Sequence, residues 1–92
     1  MRLPNTEHTG WRRRRRWVAV QPMKLRRIVA QNLRRLRQDR GLTQEELADL
    51  AGLNRNYVGM VEREENAPTV DTLEVLAKAL KIEAATLLAR NS

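Results

Sequence analysis

"LTQEELADLAGLNRNYVGMVE", residues 42–62, reads as two short helices with a tight joint between them, and it anchors the reading of the whole chain. Thr43 with Glu46 three residues on forms a capping box. The threonine hydroxyl can accept from the Glu46 backbone N–H while the glutamate carboxylate reaches back to the cap's own N–H. A helix is predicted to start there. Leu47, Ala48 and Ala51 give it a small apolar inner face, and Gly52 can take the left-handed conformation that turns a chain in few residues. Asn54 can then cap the next helix. In that helix Val58 and Val61 share a core-facing side with Leu53 at its entrance, whereas Arg55, Asn56, Tyr57, Gly59, Met60 and Arg63 fall on other faces. The result is a polar row on a short, anchored helix.

Outward from this unit the chain stays helical. Leu25, Ile28, Val29, Leu33 and Leu36 recur at three- and four-residue steps, predicting a helix from Met23 to about Arg40 that Gly41 ends. Downstream, with Pro68 just ahead, Asp71 is expected to open a fourth helix with Leu73, Leu76, Ala77 and Leu80 on one stripe. "IEAATLLARNS" adds a short fifth with Ile82, Leu87 and Leu88. Five helices, no strand signal and no repeat define an all-α domain over residues 23–92. With 92 residues and no cysteine, packing alone must hold it.

The formal net charge of +7 is unevenly spread: residues 1–22 hold six arginines against Glu7, and residues 23–92 hold twelve Lys/Arg against ten Asp/Glu. Five of those arginines stand together in "WRRRRRW", residues 11–17. Pro4, Asn5, Gly10 and Pro22, the crowded like charges and the lack of any apolar period predict a disordered basic arm at 1–22. The arginine run has three readings. First, Met23 followed by "KLRRIVAQNL" opens directly into helix one, so residues 1–22 can lie upstream of the natural start. Second, the run can be an arm that binds phosphates without reading sequence. Third, it can be a nuclear-localisation or anionic-surface patch. His8, the sole histidine, sits in this arm and has no expected catalytic role.

No apolar run approaches the ~20 residues that span a bilayer, which with the missing cysteines points to a cytoplasmic protein and away from a membrane. An enzyme is not expected, because there is no cysteine, no paired histidines and no phosphate-binding glycine loop. No metal or cofactor is expected either.

The strings "LRRLRQDRGLTQEELADLAGL", "NRNYVGMVER" and "APTVDTLEVLAKAL" with a final "LL" resemble, in order and spacing, the lambda-repressor-like (Xre/Cro) helix-turn-helix DNA-binding domains. The resemblance covers roughly Leu33 to Leu88, and "NRNYVGMVER" is similar to the recognition helix of restriction-modification controller proteins, small dimeric members. It implies that the second helix braces across the DNA backbone and the third enters the major groove. On matching positions it implies base-edge contacts from Gln44, Arg55, Asn56 and Met60, with Tyr57 at the groove margin. Tyr57 could equally pack on helix two, and Met60 could lie on the surface. Arginine can pair bidentately with guanine, asparagine with adenine, and an apolar side chain can meet a thymine methyl. Phosphate contacts are implied for Thr43, Arg63, Asn66 and Thr69, and a structural ion pair for Arg37 with Glu62. Glu64 departs from the family, where glycine is usual just after "ER".

The resemblance further implies a homodimer on double-stranded DNA, with Ile82, Leu87 and Leu88 at the dimer interface, although the leucines could simply close the monomer's core. Two alternatives accompany the reading as a transcription regulator. One is the antitoxin of a toxin–antitoxin pair, with a toxin as protein partner. The other is a protein-interaction module that scarcely touches DNA.

Overall fold

Among the described residues, 25–90 of a computed structural model, the chain forms five helices and no strand. The arm expected at 1–22, with its arginine run, lies outside the described residues. Helix α1 covers 25–39, followed by α2 (Gln44–Ala51), α3 (Tyr57–Glu62), α4 (Val70–Leu80) and α5 (Ala84–Leu88). None is long and apolar enough to cross a membrane.

The starts of α2, α3 and α4 have local causes. Thr43 accepts from the Glu46 N–H (3.0 Å) and donates its own N–H to the Glu46 carboxylate (2.8 Å), so both halves of the capping box are made. Helix α4 begins one residue ahead of the expected Asp71. Thr69 is its cap, accepting from the Thr72 N–H (3.1 Å), because a hydroxyl three residues before a free N–H satisfies it. Before α3, the Asn54 side chain accepts from the Asn56 N–H (2.9 Å) and its carbonyl from the Tyr57 N–H (2.9 Å). Asn54 therefore closes the turn leading into α3, and the residue flanking the helix is Asn56, which makes no side-chain cap.

Four helices end in one motif. At each end a left-handed residue donates to the carbonyl three back, and the next residue to the carbonyl five back: Gly41 and Leu42, Gly52 and Leu53, Glu64 and Glu65, Lys81 and Ile82. This is the Schellman arrangement, which satisfies carbonyls the helix leaves over. Glycine meets the left-handed conformation without penalty at α1 and α2. Glu64 (φ 64°) and Lys81 (φ 61°) adopt it at a cost of about 1–2 kcal/mol each.

The core joins Val29, Leu33 and Leu36 of α1 to Leu47, Ala48, Val58, Val61, Leu73, Leu76, Ala77, Leu80 and Leu87. Burial along the α1 stripe starts at Val29, leaving Leu25 exposed. Leu42, Leu53 and Ile82, each just past a left-handed residue, pack against this core. Asn32 is buried on the apolar side of α1. Its amide donates to the carbonyls of Leu87 (2.9 Å), Ala89 (2.8 Å) and, more weakly, Thr86 (3.4 Å), fastening the end of α5 to the first helix.

Candidate nucleic-acid interface

Helices α2 and α3, joined through Gly52, set the candidate surface. Val58 and Val61 are fully enclosed and fix one side of α3, so Arg55 and Asn56 stand exposed at its entrance. Tyr57 is half-buried against the core, which leaves part of its surface for a ligand, and Met60 is also half-buried.

Glu62 holds α3 in place. Its side chain is closed off from solvent and accepts from Arg37 Nε (2.7 Å) and Nη2 (3.1 Å), Gln44 Nε2 (3.0 Å) and Arg34 Nε (3.4 Å). Arg37 also donates through Nη1 to the Leu42 carbonyl (2.8 Å). One carboxylate thus binds α1, α2 and α3 together. Burial pushes its pKa up, but the hydrogen bonds from Arg37, Gln44 and Arg34 with the Arg37 charge outweigh burial and hold it below the usual carboxylate range. The Glu62 hydrogen bond raises the Arg37 pKa in turn.

Gln44 reaches Glu62 across Gly59, which has no side chain to obstruct it. A Cβ there would stand 2.9 Å from Gln44 Oε1 and 3.0 Å from Arg63 Nη1. Gln44 and Arg63 therefore lie side by side over the same stretch of α3. Arg63 is exposed and donates through Nε and Nη2 to the two oxygens of Glu65 (3.0 and 3.2 Å). Sequence reading missed this fork and the roles of Gln44 and Arg34 around Glu62. The glycine inside α3 makes room for Gln44 and Arg63 but does not say which carboxylates they meet.

The remaining expected positions are dispersed by role. The Thr43 and Thr69 hydroxyls serve as helix caps while both residues stay exposed, and Asn66 is half-buried in the loop before α4. Of the three residues expected at a dimer contact, Leu88 is exposed, Ile82 packs on the chain's own core, and Leu87 is wholly enclosed within it. Leu87, with no accessible surface in the single chain, closes the core, the second of the two roles open to it from sequence.

A capped α2, a glycine turn and an anchored α3 that shows a polar entrance define a helix-turn-helix unit. Residues 33–87 match the family described as helix-turn-helix, HTH_3. The chain belongs to this helix-turn-helix family of transcriptional regulators. It is 46% identical over 68 residues to the control protein C.SmaI of Serratia marcescens, covering 74% of this chain and 81% of the relative. It superposes on the restriction-modification controller protein C.AhdI of Aeromonas hydrophila with a TM-score of 0.65 at 45% identity, covering 67% of this chain and 94% of that one. A further solved structure shows the controller protein C.Esp1396I as a tetramer with its natural 35 base-pair operator. The TM-score there is 0.64 at 30% identity, over 68% of this chain and 83% of that one.

Proposed function

We propose that the chain is a sequence-specific double-stranded DNA-binding transcription regulator acting in the cytoplasm as a homodimer on a two-fold symmetric operator. The observation that carries this reading is the exposure of Arg55 and Asn56 at the entrance of a helix whose other side is locked into the core. Arginine there can take guanine and asparagine adenine, each through two hydrogen bonds. Gln44, which lies over Gly59 of that helix, offers a base or phosphate contact, Met60 a base-edge contact, and Tyr57 stands at the groove margin. Thr43, Arg63, Asn66 and Thr69 supply backbone contacts that set register without reading sequence. A lone module reads few bases, so two copies on half-sites about 34 Å apart give this architecture its specificity. Leu88 is the residue of α5 whose exposed apolar surface suits a partner copy. Operator binding by a tetramer of the similar protein C.Esp1396I supports assembly on DNA.

Selection of bound duplexes from a random pool tests the reading. The parent should enrich a palindrome. Arg55→Ala and Asn56→Ala should each lose about 1–3 kcal/mol on it and relax preference at one position per half-site, with nonspecific binding barely changed. If both variants kept the parent's preferences and affinity, α3 would not be the reader.

A further inference from the structure

Four ion pairs converge on the segment that leaves α3. Glu62 takes Arg37 and Arg34, Glu64 lies 3.8 Å from Arg27, and Glu65 holds Arg63. Glu62 is part of the scaffold, but the fold has no need of carboxylates at the next two. The same two places of the Schellman end are Gly and Leu after α1 and α2, and the second is Ile82 after α4. After α3 they are Glu64, held in a left-handed backbone, and Glu65, exposed where the other three helices pack a half-buried apolar side chain on the core.

Glu65 and Arg63 meet through two parallel N–H···O bonds of 3.0 and 3.2 Å, the fork by which a guanidinium takes two oxygens of a phosphate. Both side chains are about half exposed, 54% and 55%, so the fork is open to exchange. Arg63 also lies beside Gln44 over Gly59, on the side proposed to face DNA.

We propose that Glu65 is a specificity-determining residue: it occupies the Arg63 fork in place of a DNA phosphate and withholds that arginine from duplexes other than the operator. The proposal rests on the DNA-binding reading. A carboxylate two residues away on the same chain is present at a high effective concentration. The phosphates of a nonspecific duplex arrive in no fixed register and must compete with it, while Glu65 itself repels them. Once Arg55 and Asn56 fix the register on an operator, the phosphate nearest Arg63 is tethered as firmly as Glu65, and the fork changes partner. Nonspecific binding rests almost wholly on phosphate contacts, so it suffers most.

The test compares the parent with Glu65→Gln on the duplex selected from the random pool and on a scrambled duplex of equal length, across a salt series. Residue 65 is exposed, and a thermal melt checks that the variant folds. Affinity for the scrambled duplex should rise about two- to five-fold per subunit, the range for an exposed pair. Its log affinity against log salt should steepen by about 0.9 for each arginine released. Operator affinity should rise less, so the ratio falls. In an Arg63→Gln background the same substitution should change the ratio far less, because only the repulsion by Glu65 is left to remove. An equal rise on both duplexes, no rise, or a full effect without Arg63 overturns the proposal while leaving DNA binding intact. If the parent binds neither duplex, the DNA-binding reading and this proposal fall together.

Discussion

Glu62 carries a charge inside the protein, and its surroundings decide whether that charge holds the fold or threatens it. Breaking a buried pair by removing one partner costs about 3–5 kcal/mol, a large share of the 5–15 kcal/mol that typically holds a domain together. Arg37→Met and Glu62→Gln should each lower the melting point sharply, and the double variant should lose less than the sum of the two. Additive, sub-kilocalorie losses would make the pair incidental. The pH dependence follows from the lowered Glu62 pKa. Its contribution is complete above the unfolded glutamate value of about 4.3 and fades as pH falls through the lower folded value. Melts of the parent and Glu62→Gln should therefore converge in acid; a constant difference from pH 7 to 3 would contradict this account. Arg37 and Glu62 are 25 residues apart and no local spacing marks them as neighbours, so the family resemblance alone suggests the pairing. Gln44 and Arg34 as further partners are not legible, because nothing local directs a side chain to a carboxylate on another helix.

At the scale of elements, helix starts and stops are the most legible part of this chain, since their chemistry is local. Thr43 with Glu46 announces α2, and Gly41 and Gly52 announce two ends. The same motif after α3 and α4 is hidden by Glu64 and Lys81, whose side chains give no sign of a left-handed backbone. Glu64→Gly and Lys81→Gly should relieve that strain, and each should stabilise the domain by about 0.5–1 kcal/mol after the greater flexibility of unfolded glycine is deducted. At about 4–8 °C per kcal/mol for a domain of this size, thermal melts resolve the change. A lower melting point in both would show that the side chains contribute more than the backbone loses. The stretch from Ile82, which lies ahead of α5 although the sequence groups it with the fifth helix, to Leu88 shows the limit of periodicity. Ile82, Leu87 and Leu88 are equally apolar in sequence, yet one packs on the core, one closes it and one faces outward.

Over the whole molecule, charge and fold are divided along the chain. The core lies between Val29 and Leu87, whereas residues 1–22 carry most of the excess charge. Removing residues 1–22 should leave folding, pairing and the selected operator unchanged. If the five clustered arginines engage phosphates, their loss should reduce the slope of log affinity against log salt by up to about 4–5 per subunit. An unchanged slope would make the run a passenger, and lost selectivity would mean that it helps to read DNA. All-α architecture and the two-helix unit are legible because apolar periods and caps are repeated signals. The closure of α5 onto α1 is not, because it hangs on Asn32, a polar residue inside an apolar stripe. That amide grips backbone carbonyls at 86, 87 and 89, and a carbonyl is blind to the side chain its residue bears. The outward face of α5 can therefore change sequence over generations, drifting toward new pairing preferences, while the latch beneath it keeps the same hold.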